Sequence, residues 1–154
     1  MSVIVVDLDN CISDDNWRIS HINEARSDFG ARWHDYHSLA GFDQLRNEHL
    51  TRDAAERQVD VVILTGRPIA YAAITREWLK RNRIGVRALA MRNNDDRTPS
   101  AQLKLAQLRW LYDTHGIALK DVVACYDDKP SVVEAYRSIG LRGEVVAINE
   151  RSWP

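Results

Sequence analysis

The sequence predicts an α/β fold: a parallel sheet with helices on both faces and a small helical cap inserted after the first strand. Three observations carry this. Short apolar runs alternate with stretches of helical spacing, the rhythm of a parallel sheet covered on both sides. The runs are rich in Val and Ile and lack polar alternation, as strands buried on both faces do. Three of them end in carboxylates or in Thr-Gly-Arg, at the edge where open α/β sheets bind ligands.

Val3-Ile4-Val5-Val6 is the first strand, and it delivers Asp7 and Asp9 to its C-terminal end. Extended-chain alternation points both carboxylates the same way, a crowding that a cation or a shared proton must relieve. Taken alone, the pair also reads as a solvated Asp-rich turn. Residues 10–15 are polar and turn-like. Trp17, Ile19, Ile22, Ala25 and Phe29 follow at loosely helical spacing, ending near Gly30. Trp33, His34, Tyr36 and His37 fall in a short segment closed by Gly41, and a second helix is predicted over about 42–58. Residues 16–58 are therefore the insertion, the least regular part of the chain.

The remainder is rhythmic. Residues 59–64 form a second strand ending in Thr65-Gly66-Arg67-Pro68, with Pro68 near a first helical turn and the helix reaching about Arg81. Residues 86–91 form a third strand, and 93–96 a loop. Thr98-Pro99 starts a helix carrying Leu103, Leu108 and Leu111. Residues 121–126 form a fourth strand ending in Asp127-Asp128. Lys129-Pro130 opens a helix to about Ile139, and 144–148 form a fifth strand. No repeat or linker interrupts the 154 residues, which read as one domain.

Composition sets bounds. Hydrophobic residues make up 45% and charged residues 28%, the proportions of a soluble globular protein. No apolar run approaches a membrane span, and Met1 leads straight into the first strand, so the expectation is a cytoplasmic protein without a membrane partner. Cys11 and Cys125 are too few for a disulfide framework and are expected to be reduced and packed. The net charge of −1 hides an asymmetry: residues 1–60 carry 12 acidic and 6 basic side chains, leaving 10 and 15 for the rest. The basic excess lies between Arg76 and Arg109, open between a polyanion-binding patch and a solvated helix face. Charge alone does not make the chain a nucleic-acid binder.

The chemistry collects at the strand ends. Asp7, Asp9, Asp127 and Asp128 would repel one another by several kcal/mol in a low-dielectric cleft. A hard divalent cation resolves this, and Mg²⁺ suits a few carboxylates, waters and a phosphate oxygen. Thr65 can donate a hydroxyl, Gly66 allows close backbone approach, and Lys104 adds a fixed positive charge.

These motifs resemble those of the haloacid dehalogenase (HAD) superfamily of phosphohydrolases: Asp7-Leu8-Asp9 the first, Thr65-Gly66-Arg67 the second, Lys104 the third, Asp127-Asp128 the fourth. Within it the chain is most similar to the phosphatase domain of phage-type polynucleotide kinase/phosphatases. The shared features are Thr-Gly-Arg, Met91-Arg92 ending the third strand, Asp95-Asp96-Arg97 ahead of Lys104, and the run from Asp127 to Tyr136. The sequence holds no Gly-x-x-x-x-Gly-Lys-Ser/Thr loop for a kinase site. Where the first motif usually continues Gly-Thr, it has Asn10-Cys11, and Asn tolerates the left-handed backbone such a turn needs.

The resemblance implies a HAD-like (Rossmann-like) sheet and a Mg²⁺-dependent phosphomonoesterase. Asp7 would be the nucleophile that forms an aspartyl-phosphate, and Asp9 the general acid and then base, for which its pKa must be raised. Asp7, Asp9 (through its backbone carbonyl) and Asp127 or Asp128 would hold the metal. Thr65 and Lys104 would bind the phosphoryl group. Substrate-binding candidates are Gly66, Arg67, Arg92, Asn10 and Arg18, with Arg67 and Arg92 read equally as surface charges. Trp17, His21, Trp33, His34, Tyr36 and His37 form either a lid that stacks on a base or ordinary packing and solvated histidines. The expected substrate is a nucleoside monophosphate. A nucleic-acid end, processed by a 3′-phosphatase, is the alternative. A phosphoacceptor signalling domain is disfavoured because the third strand ends in Met91-Arg92 rather than Asp, and an inert binding module by the intact Asp7, Asp9, Lys104 and Asp127. Monomer and homo-oligomer both stay open.

Overall fold

The computed structural model describes residues 1–23 and 29–151. Its strands are β1 (Val3–Val6), β2 (Ser13–Asp14), β3 (Gln44–Leu45), β4 (Asp60–Pro68), β5 (Ala88–Arg92), β6 (Val122–Asp127) and β7 (Gly143–Val145). Five of them make one parallel sheet in the order β5-β4-β1-β6-β7, while β2, just ahead of the insertion, pairs antiparallel with β3 inside it. The helices are α1 (Ser20–Asn23), α2 (Phe29–Ser38), α3 (His49–Glu56), α4 (Ala72–Arg81), α5 (Ser100–His115) and α6 (Pro130–Ser138).

β1 lies at the centre and divides the core. Val3 and Val5 join Leu64, Leu108, Leu111 and Tyr136 on the side of α5 and α6. Ile4 and Val6 join Ile63, Ala54, Trp78 and Leu79 on the side of α3 and α4. Both faces being covered is why the β1 sequence shows no polar alternation, and each such buried aliphatic side chain contributes about 1.5–3 kcal/mol. Cys11 and Cys125 are both buried and unpaired.

The rhythmic part folds as its pattern predicts, with shifts at element ends, β5 for one beginning at Ala88 rather than at 86. β4 runs through Thr65-Gly66-Arg67 to Pro68, which pairs with Arg92 after a break in register, and a 3-10 turn (Ile69–Tyr71) precedes α4. Pro68 therefore ends a strand rather than starting a helix; its φ of −64° suits either role, and its ψ of 150° is extended. β7 stops at Val145 because the chain then leaves the sheet and crosses the strand ends. There Val146 N–H donates to Asp127 O at 2.9 Å and Ile148 N–H to Asn10 O at 2.8 Å. The strand after β5 begins no earlier than Val122, one residue past the expected start.

The insertion departs further. A 3-10 turn (Asn16–Arg18) and α1 replace the start of the expected first helix. Ala25, the Phe29 side chain and Trp153 lie outside the described residues. The single helix expected over 42–58 is broken: Asp43 is drawn inside by Arg18 and Ser13, residues 44 and 45 pair with β2, and only His49–Glu56 is helical. An ion pair with residues 25 positions away outweighs local helical periodicity here. Among the described residues, no helix is long and apolar enough to cross a membrane.

Candidate active site

Asp7 follows β1 directly and keeps the parity of Val3 and Val5, which turns it towards α5. There the Lys104 ammonium donates to Asp7 Oδ1 at 2.9 Å, to Asp127 Oδ2 at 2.9 Å and to Leu64 O at 2.6 Å. All three of its donors are used. Burial alone would lower the Lys104 pKa, but the Asp127 and Asp7 carboxylates outweigh it and push it up. Burial and the neighbouring Asp127 push the Asp7 carboxyl well above the ordinary range, against the pull of Lys104. Asp128 is raised as well, by burial and by Asp127.

Asp7, Asp127 and Asp128 each offer an oxygen, all within 4.8 Å of one another. Three carboxylates against one ammonium leave an excess of two negative charges in oxygen donors alone, a set that fits a hard divalent cation such as Mg²⁺.

Asp9 has different company. The turn after Asp7 curls tightly, with the N–H groups of Cys11, Ile12 and Ser13 all donating to Leu8 O, so extended-chain alternation ends and the two carboxylates part. Arg18 Nη2 donates to Asp9 Oδ1 at 2.5 Å, and Arg67 grips the same carboxylate through Nε (3.1 and 3.2 Å) and Nη2 (2.7 Å). Burial pushes Asp9 up, but the Arg67 and Arg18 guanidiniums prevail and hold it well below the usual carboxylate range. This corrects the expectation of a raised Asp9 pKa: its surroundings are cationic, not acidic.

Arg18 and Arg67 are corrected with it. Both are fully buried. Arg18 also reaches both Asp43 oxygens and Tyr36 O, its guanidinium lying 4.2 Å from the centre of the Tyr36 ring. Arg67 also reaches Ser13 Oγ and Thr75 Oγ1. Both are engaged with Asp9 and its neighbours, and neither lines the cavity described below. Asn10 likewise turns away. Its φ is +61°, the left-handed turn that Asn was expected to allow, and its amide links Asp128 (3.1 Å) to the Asn149 backbone (2.9 Å).

A cavity of about 690 Å³ opens above these strand ends, lined at one end by Asp7, Asp9, Lys104, Asp127 and Asp128. Gly66 and Arg92 front it too. Arg92 donates to Gly66 O (3.1 Å), Asp96 O (3.1 Å) and Thr98 O (2.7 Å), fastening the 96–98 loop at the rim. Thr65 is buried, its hydroxyl oxygen accepting Arg67 N–H at 3.1 Å.

The cap supplies the opposite wall. Trp33, His34 and His37 of α2 line the cavity beside Tyr71, and the His34 ring nitrogen lies 2.7 Å from the Tyr71 hydroxyl. Trp17 is set apart, half exposed and donating to Asp43. Asp15, buried, accepts from the Tyr36 hydroxyl and from both terminal nitrogens of Arg151 (3.0 and 2.6 Å). Tyr71, Asp43 and Arg151 carry no local sequence signal. Tyr71 sits among alanines at a helix start, Asp43 inside an amphipathic run, and Arg151 beyond the last strand.

A buried lysine bridging two carboxylates, with an acidic cluster at the carboxyl ends of this parallel sheet, is the setting of a phosphatase of the HAD type. The chain belongs to the family described as the polynucleotide kinase PNKP phosphatase domain, which matches residues 2–150. A search of curated proteins gives no match. Among solved structures, a chain of the Pnkp1/Rnl/Hen1 complex superposes with a TM-score of 0.71 at 24% identity, over 94% of this chain and 45% of that one. A chain of the Pnkp1/Rnl/Hen1 RNA repair complex gives 0.69 at 23%, over 94% and 42%. The class C acid phosphatase from Bacillus anthracis with tungstate bound gives 0.65 at 14%, over 95% and 66%. The chain thus spans under half the length of the two complex subunits it resembles, and these likenesses concern the fold.

Proposed function

We propose that the protein removes a terminal phosphomonoester from nucleic-acid ends, with Mg²⁺ and through an aspartyl-phosphate on Asp7. The observation that carries this is Lys104 bridging Asp7 and Asp127, with Asp128 alongside, at the floor of a cavity far larger than a phosphate needs. Family membership favours the nucleic-acid end over the nucleoside monophosphate expected from the sequence.

Asp7 attacks phosphorus and displaces the ester oxygen, leaving the phosphoryl group on its carboxylate; water then attacks that phosphorus and returns Asp7 free. Lys104 fixes the Asp7 carboxylate and keeps its attacking oxygen in place. Asp7, Asp127 and Asp128 would hold Mg²⁺, which when bound offsets phosphoryl charge. Thr65 keeps its hydroxyl proton to donate, since its oxygen already accepts from Arg67. Asp9, held ionised by two guanidiniums, must loosen those pairs before it can draw a proton from the attacking water. To protonate the leaving oxygen it must first take up a proton and loosen those pairs.

The test is phosphate release with Mg²⁺ from 3′-phosphorylated oligonucleotides and from nucleoside monophosphates, beside Asp7→Asn. Release from oligonucleotide ends, lost in the variant, is expected. Release from monophosphates alone would install the mononucleotide reading instead. Release from neither would overturn the assignment.

A further inference from the structure

The cavity has two chemically distinct ends, and only the acidic one is used by phosphoryl chemistry. At the other, three rings form a stack that crosses from cap to core. Trp33 lies over His37 with centroids 5.6 Å apart and planes 23° from parallel; His37 lies over Tyr71 at 5.2 Å and 32°. His34 lies 5.8 Å from the same tyrosine, tilted by 40°, and joins its hydroxyl at 2.7 Å, so the Tyr71 ring is also anchored at its hydroxyl end. Every member lines the cavity.

We infer that this Trp33–His37–Tyr71 stack is a nucleobase subsite, taking the base of the terminal nucleoside while its phosphate lies at Asp7. The inference rests on the end-processing reading above and adds to it which part of the substrate the cap recognises.

Three features support a base over other occupants. A base is a flat, neutral π-surface, and it suits a row of rings in which Trp33 and His37 are stacked and Tyr71 is tilted by 32° from the middle ring. The middle ring is a neutral partner: burial, with the Arg67 and Arg18 charges adding to it against Asp9, pushes His37 down to about 3. Its Nδ1 is also buried with no hydrogen-bond partner, so the ring is placed for its faces rather than for its nitrogens. Finally, the phosphate end and the aromatic end share one cavity of about 690 Å³, within the range that takes a whole small ligand. Stacking of this kind is blind to base identity, as suits an enzyme that must accept any terminal nucleotide.

The experiment compares one 3′-phosphorylated oligonucleotide with the same strand ending in an abasic deoxyribose 3′-phosphate, in the wild type, Tyr71→Ala and Tyr71→Phe. Loss of about 1–3 kcal/mol of stacking corresponds to roughly 5- to 150-fold in kcat/KM. The wild type should prefer the base-bearing end by that order, chiefly through KM. Tyr71→Ala should erase the preference by slowing the base-bearing end towards the abasic one, and Tyr71→Phe, which keeps the ring, should retain it. Equal rates on the two ends in the wild type would overturn the subsite while leaving end processing in place. So would an equal slowing of both ends by Tyr71→Ala. Release from neither end, with phosphate still freed from nucleoside monophosphates, would overturn the end-processing reading and the subsite together.

Discussion

Arg18, carried by the cap, donates to Asp9, carried by the core, at 2.5 Å, and each is thereby fixed by the other. Arg18 also pairs with the buried Asp43 at 2.6 Å, so one guanidinium bridges two carboxylates, with Arg67 beside it as the second positive charge. Arg18→Met should cost about 3–5 kcal/mol, the usual penalty for stranding a buried charge. Arg18→Lys should recover little, because an ammonium cannot reproduce the fork that meets Asp9, Asp43 and Tyr36 O at once. Thermal unfolding of both variants, read beside turnover, checks this; full rescue by lysine would contradict it.

Metal binding should register without any turnover. If Asp7, Asp127 and Asp128 hold Mg²⁺, adding it at about 100 times its Kd stabilises the fold by about 2.7 kcal/mol. Differential scanning calorimetry should show a Tm rise in the wild type that is much smaller in Asp128→Asn. An equal rise in both would remove Asp128 from the metal set.

Lys104 should be indispensable to the fold's charge balance as well as to turnover. Lys104→Met leaves Asp7 and Asp127 crowded without their cation. The variant should lose activity and, unlike the wild type, depend on Mg²⁺ for much of its thermal stability at neutral pH, which calorimetry with and without chelator would read. A variant as stable as the wild type in chelator would show that the ion pair contributes nothing.

His37 gives the acid response a definite sign. Its pKa falls from 6.5 in the unfolded chain to about 3 in the fold, so below pH 6.5 the unfolded state binds more protons than the folded one. The stability His37 contributes is complete above 6.5 and is lost as pH drops from there to about 3. Denaturant titrations across that window should show a shallower decline in His37→Phe than in the wild type. Parallel declines would mean that the acid response comes from other groups.

The turn at Asn10 predicts an order among substitutions. With φ at +61°, Asn10→Ala adds backbone strain of about 1–2 kcal/mol to the loss of its links with Asp128 and Asn149, whereas Asn10→Gly loses only the links. Chemical denaturation should rank wild type over Gly over Ala; Ala equal to Gly would remove the strain argument.

The sheet was legible in the sequence because its signal is local. Uninterrupted Val and Ile runs say that both faces are covered, and the residues that follow each run are carried to one edge by the strands being parallel. Asp7, Asp127 and Asp128 could be set at one edge for that reason, whereas Lys104, inside α5, was read from the family resemblance. The company of Asp9 was not legible, because Arg18, Arg67 and Asp43 meet it across loops and the cap, with no spacing rule to announce them. The insertion failed for the same reason: residues 42–58 have helical periodicity, but the pull of Arg18 on Asp43 is a tertiary term that a local pattern omits. Tyr71 is a third case, since its neighbours in the aromatic stack lie 34 and 38 residues away in sequence on α2.

The clasp between Asn10 and Asn149 joins positions 139 residues apart, and it bears on when the site can come into being. The turn behind Asp7 takes its lock from a residue made 139 positions later. A nascent chain therefore holds that turn unlocked until residue 149 has emerged. Activity should switch on only once that residue is in place rather than grow with chain length.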